Sequence, residues 1–151
     1  MSAKEKDEIV ARAAVLLRRG YHCSEAVWLA YSERLLGERL ADSARLATGF
    51  SGRAGGAPNQ TCGALSGGIL VIGALLGRDD LRGDEGPALR AADRLRSAFI
   101  SELGDFRCEP VYASIHAAEG AGSCVFVVKR TVELLLDILE EYDLELDSVE
   151  R

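Results

Sequence analysis

The chain has 151 residues, 48% of them hydrophobic and 28% charged, with a net charge of −6. Those values fit one soluble globular domain with enough chain for a proper core. The acidic balance argues against nucleic acid, whose phosphates need a basic face, and it offers no polybasic handle for anionic lipid.

The opening "MSAKEKDEIV" is charged and lacks the apolar centre of a secretory signal. A cytoplasmic location is therefore expected, where structural disulfides are rare. Only three prolines occur, and long Ala/Leu/Arg/Glu stretches favour helix. The first helix is predicted from about Ala3 to Arg19. Ile9, Val10, Ala13, Ala14, Leu16 and Leu17 form its stripe, and Gly20 is its stop. A second helix is predicted to start near Cys23 or Ser24 and run to about Leu36, ending at Gly37. A shorter one covers Leu40 to Thr48. Residues 49–60, "GFSGRAGGAPNQ", then form a glycine-rich loop of unusual length, of the kind that is functional or disordered inside compact domains. Arg53 in this loop, with backbone N–H groups such as those of Gly55 and Gly56, could hold an anion. The absence of Gly-Lys-Ser/Thr excludes a nucleotide P-loop.

Thr61 is the expected N-cap of a helix from about Cys62 to Leu76. Its sequence is apolar all round, which places it centrally. Its strongly apolar part, Ile69 to Leu76, is too short to span a bilayer, so no membrane insertion is expected. Gly63 and Gly67, like Ala64 and Gly68, sit four apart. Small residues at that spacing admit another backbone, at a cost of about 1 kcal/mol per glycine that packing must offset. "RDDLRGDEGP", residues 78–87, reads as a solvated connection. Pro87 suits the first turn of a helix to Leu103, with Leu89, Ala92, Leu95, Phe99 and Leu103 facing inward. Pro110 sits just inside a short helix to about Ala117, and "EGAGS" turns the chain. Ser123 caps a last helix, Cys124 to about Glu141, with an apolar stripe from Val127 to Leu139. The acidic end, about 142–151, reads as a solvated tail. The expectation is all-α: residues 1–151 as a single-domain bundle of five to six helices.

Each of the four cysteines, Cys23, Cys62, Cys108 and Cys124, falls at or beside a predicted helix start. The partial positive charge and unpaired N–H groups there favour thiolate, which predicts pKa values below the usual ~8.5. In an up-down bundle, alternate helices start at one end, which would gather Cys23, Cys62 and Cys124 and bring Cys108 beside them. Against this, an unpaired cysteine often serves as a small buried hydrophobe. No C-x-x-C is present, and gaps of 38, 45 and 15 residues separate the thiols. Zinc or an iron–sulfur cluster would therefore need a non-local four-thiolate site. His22, next to Cys23, could act as base or ligand, although a lone histidine at a helix start is commonly just exposed. His116 has less support, and no Ser–His–Asp arrangement stands out.

Cys23 with "SEAV", the glycine-rich loop, "TCGALSGG", then Cys108 and Cys124, in that order, resemble the C_GCAxxG_C_C family of redox-active proteins. These are small prokaryotic helical proteins named for four cysteines in this order. The similarity runs from about Tyr21 to Leu139, and each cysteine falls on a motif cysteine. Where the label reads Gly-Cys-Ala, this chain has Thr61-Cys62-Gly63-Ala64. The resemblance implies electron transfer or thiol redox work, with or without a metal centre. In a cofactor-free version, Cys62 is expected to attack and Cys23 or Cys124 to resolve the mixed disulfide. In a metal version, Cys23, Cys62, Cys108 and Cys124 hold an iron–sulfur cluster. The partner would be a redox protein or a small-molecule thiol, and a homo-oligomer is left open. Two other classes compete: a binding module that uses loop 49–60 and Gly63 for a small ligand or anion, and an interaction protein whose cysteines only pack.

Overall fold

The computed structural model describes residues 1–35, 43–52, 57, 59–119 and 124–142, without the side chains of residues 35 and 116–119. Within them the chain forms seven helices and no strand. They are α1 (Ala3–Arg18), α2 (Cys23–Leu35), α3 (Ala44–Thr48), α4 (Gly63–Leu76), α5 (Gly86–Leu103), α6 (Cys108–Glu119) and α7 (Val125–Glu140). The all-α expectation holds, but seven helices replace the expected five to six. The segment from Cys108 is 12 residues of helix rather than a short piece, and the expected short third helix is present as α3, described over Ala44–Thr48. The expected second-helix end at Leu36–Gly37 and third-helix start at Leu40 lie outside the described residues. So do Arg53, Gly55, Gly56, residues 120–123 of the "EGAGS" turn and the tail beyond residue 142.

Local chemistry sets the helix ends. Ser2 and Glu5 form a capping box: the Ser2 hydroxyl accepts from the Glu5 N–H at 3.2 Å, and the Glu5 carboxylate accepts from the Ser2 N–H at 2.7 Å. At the other end of α1, Gly20 takes φ 108°. The Tyr21 N–H then reaches the Leu16 carbonyl and the Gly20 N–H the Leu17 carbonyl, at 3.2 and 3.1 Å. That closes the helix as a Schellman motif, and glycine is the residue that adopts such a φ without strain.

α2 lies at the centre, with Ala26 to Tyr31 buried on every side. It packs against α1, α3, α4 and α7. α7 contributes the longest buried stripe, from Val127 to Leu139. α5 inserts Ala92, Leu95 and Phe99, whereas Leu89 in its first turn is exposed instead of facing inward. α4 touches α2, α3, α5 and α7, although Gly73 and Ala74 near its end are exposed. Among the described residues, no helix is long and apolar enough to cross a membrane.

Three polar contacts fasten α3 onto α2. The Ser24 hydroxyl donates to the Ala47 carbonyl at 2.7 Å, the Thr48 hydroxyl to Glu25 at 2.6 Å, and the Trp28 indole N–H to the Ser43 hydroxyl at 2.7 Å. Glu25 also accepts the His22 N–H at 2.9 Å, which caps the start of α2. Together these contacts carry Phe50, Ser51 and Gly52 down beside the first residues of α2.

Candidate functional site

All four cysteines stand at helix starts. Cys23 and Cys108 are the first residues of α2 and α6. Cys62 and Cys124 occupy the N-cap positions of α4 and α7. The expected caps Thr61 and Ser123 are thus one residue early, and Ser123 itself is outside the described residues. Thr61 instead forms an isolated antiparallel bridge with Arg107. Around it, the Cys62 N–H donates to the Phe106 carbonyl at 2.7 Å and the Cys108 N–H to the Gln60 carbonyl at 2.9 Å. This clamp sets the starts of α4 and α6 side by side, so Cys62 and Cys108 become neighbours across 45 intervening residues.

Close backbone approach brings in the others. A Cβ on Gly67 would lie 2.6 Å from the Ser24 carbonyl oxygen, and one on Gly63 would lie 3.4 Å from the Cys23 Cβ. The small-residue face of α4 therefore lets α2 come near enough to place Cys23 at the same end. Gly52 acts similarly on the loop side, where a Cβ would fall 2.6 Å from both the Cβ and Sγ of Cys108.

The result is a cavity of about 340 Å³ lined by Cys23, Cys62, Cys108 and Cys124. Leu17, Val111 and Val127 give it an apolar wall, and Tyr21, Tyr112, His22, Ser51 and Gly63 also face it. Among the described residues, no Asp, Glu, Lys or Arg lines it. The helix-start reasoning reached the thiols and His22 but missed Ser51 and Tyr112. Tyr112 follows Cys108 by one helical turn, and that i,i+4 spacing was its available signal. The His116 side chain is outside the described residues.

The thiols are electrostatically unequal. The Cys23 thiol hydrogen-bonds to Cys124, and that bond, followed by burial and by repulsion from Cys124, Cys62 and Cys108, pushes its pKa far up. Cys62, only 5% exposed, is pushed up to about 11 by burial. The N–H groups of Ala64 and Leu65 pull the other way without overcoming it. This corrects the expectation of lowered pKa values at helix starts for these two residues. The helix-end field is present at Cys62, but desolvation of the charged form outweighs it. Among the described residues no disulfide joins the cysteines. Nor is any group of three or more His, Cys, Asp or Glu side chains placed to hold a metal ion. As arranged, the four thiols do not fit a metal or iron–sulfur cage.

Four helix starts that converge on one thiol-lined cavity in an all-α fold define a thiol-cluster protein. Comparison with known families narrows the class. The model of the family described as "Putative redox-active protein (C_GCAxxG_C_C)" matches residues 21–138, and the chain belongs to that family. No curated protein and no solved structure matches it.

Proposed function

We propose that the protein is a thiol–disulfide oxidoreductase in which Cys23 and Cys124 are the primary redox pair. The observation that carries this reading is the hydrogen bond between their side chains inside the shared cavity. The raised pKa of Cys23 supports a division of roles in which Cys23 keeps its proton and Cys124 is the partner that attacks. This reading exchanges the roles expected from helix position alone, since burial pushes the Cys62 pKa up to about 11 instead of lowering it.

The reaction is a disulfide exchange. The Cys124 thiolate attacks one sulfur of a substrate disulfide R–S–S–R. That bond breaks, and R–S⁻ leaves and takes a proton from water. The protein now carries a Cys124–S–S–R mixed disulfide, and Cys124 is no longer a negative hydrogen-bond acceptor. The largest cause of the high Cys23 pKa is thereby removed. Cys23 attacks the Cys124 sulfur, the bond from that sulfur to S–R breaks, and the second R–S⁻ leaves with the Cys23 proton. Two protein thiols become one disulfide, and the substrate gains two electrons as two thiols. Cys62 and Cys108, paired by the backbone clamp, stand ready to exchange with that disulfide. A partner protein dithiol or a small-molecule thiol restores the reduced state, which suits a reducing compartment such as the cytoplasm. In this reading residues 1–151 act as one domain with an acidic tail from about 142.

Stoichiometric oxidation with a small disulfide, acid quenching and peptide mapping test the proposal. The expected first product is Cys23–Cys124. Cys23→Ser should accumulate a mixed disulfide on Cys124, and Cys124→Ser should form none. A mixed disulfide trapped on Cys62 in Cys23→Ser would refute the assignment, and failure of any cysteine to exchange would refute the function.

A further inference from the structure

Ser51 is 7% exposed, and its hydroxyl is a buried side-chain oxygen with no hydrogen-bond partner among the described residues. The residue belongs to the lining of the thiol cavity. A buried hydroxyl left unpaired costs about 1–3 kcal/mol, so native proteins seldom keep one without a use. Its backbone is engaged: the N–H donates to the Thr48 carbonyl at 3.3 Å, and the carbonyl accepts from Gln60 at 3.4 Å. The residue is thus held in place while its hydroxyl waits for a partner. The cavity volume of about 340 Å³ falls in the range of small-molecule sites. Its wall is largely apolar, with His22 on it, and no Asp, Glu, Lys or Arg among the described residues faces it. A charged ligand would lose its hydration there with no Asp, Glu, Lys or Arg among the described residues to pair with it.

We infer that this cavity binds a small uncharged sulfur compound, with the Ser51 hydroxyl hydrogen-bonding its polar end. The inference rests on the thiol–disulfide reading for its chemistry: the substrate class becomes small neutral disulfides rather than ionic ones. Ser51 fixes the orientation, and the sulfur atoms of the ligand then face the cysteines. The redox step is the exchange given above, with the neutral disulfide as the oxidant.

Two arms separate the inference from the reading beneath it. The first needs no redox chemistry. The unreactive diol 2,2′-thiodiethanol is titrated against the rate of Cys124 alkylation by iodoacetamide in the reduced protein. The expected result is protection in the wild type, weakened about 2- to 10-fold in Ser51→Ala, the loss expected of one neutral hydrogen bond. The dianion thiodiacetate should protect more than about 100-fold more weakly. Equal protection by the dianion, or an unchanged Ser51→Ala, would overturn the inference whatever the catalytic outcome. The second arm compares turnover of bis(2-hydroxyethyl) disulfide with dithiodiglycolate. Preference for the neutral disulfide, reduced in Ser51→Ala through KM, supports the inference. Protection without any turnover refutes the redox reading alone. Ser51→Ala should fold normally, since it removes an unpaired hydroxyl. A fall in its urea midpoint would show that Ser51 has a structural partner and overturn the assignment.

Discussion

Gly67 and Gly73 lie on the same helix, yet alanine should move stability in opposite directions at the two sites. A Cβ at Gly67 would stand 2.6 Å from the Ser24 carbonyl oxygen and 3.1 Å from the Ser24 Cα. Ordinary contact begins near 3.4 Å, so the α2 backbone must retreat by about 0.8 Å. Overpacking of this kind costs about 1–3 kcal/mol, and the better helix propensity of alanine returns about 1 kcal/mol. Because the obstacle is backbone rather than a flexible side-chain tip, the net loss for Gly67→Ala should be about 1–2 kcal/mol. At Gly73 an added Cβ meets nothing within 4 Å, so Gly73→Ala should gain about 0.5–1 kcal/mol from propensity alone. Urea denaturation of both variants, read as midpoint shifts at constant slope, makes the comparison. Oxidation of the reduced proteins adds a functional readout: the yield of Cys23–Cys124 should fall in Gly67→Ala, whose α2 start is displaced, and stay unchanged in Gly73→Ala. A Gly67→Ala variant as stable as the wild type would refute the close-approach account of how Cys23 reaches the cavity.

Ser43→Ala should cost about 1–3 kcal/mol, because it strands the buried Trp28 N–H that Ser43 accepts at 2.7 Å; fluorescence of the single tryptophan follows the unfolding, and an unshifted midpoint would contradict it. Alkaline stability should report Cys62, whose pKa rises from 9.0 to about 11 on folding. Below pH 9 both states keep the proton and the thiol costs nothing, whereas between 9 and 11 only the folded state keeps it. Stability should therefore fall by about 1.4 kcal/mol per pH unit across that window. Urea midpoints of the wild type and Cys62→Ser at pH 8, 9 and 10 test the sign, and identical slopes would refute it. Gly52→Ala places a methyl 2.6 Å from the Cys108 sulfur and should change the alkylation rate of Cys108 several-fold over that of Cys124; equal changes at both would show that Gly52 does not set the Cys108 position.

The helices were readable because glycine stops, Pro87 and the 3.6-residue apolar stripes are local signals, although α6 starts at Cys108 and not at the expected Pro110. The convergence of the four thiols followed from helix order alone. What escaped was non-local or competitive. The Thr61–Arg107 bridge pairs two short extended residues with no strand pattern around them, and it moved the cap of α4 from Thr61 to Cys62. The field at a helix start is a property of sequence position, whereas the desolvation of Cys62 depends on what α2, α6 and the 50–52 segment lay over it. Only the assembled cavity shows which effect is larger. Ser51 was hidden for the same reason, since one serine in a glycine-rich loop gives no hint that its hydroxyl ends up buried and unpaired.

The bridge between Thr61 and Arg107 works as a clasp at the neck of a long excursion. From Cys62 the chain leaves through α4, turns at the exposed residues 77–85, returns through α5 and meets itself again at Cys108. Residues grafted into Asp79–Asp84 would lengthen the excursion without touching the clasp, and doubling a flexible loop costs only about 0.6 kcal/mol. An affinity tag or fluorescent reporter could be carried there, remote from the sulfur chemistry. The number of residues between Cys62 and Cys108 is thus a free variable, and the two backbone hydrogen bonds at the neck keep their helix starts side by side.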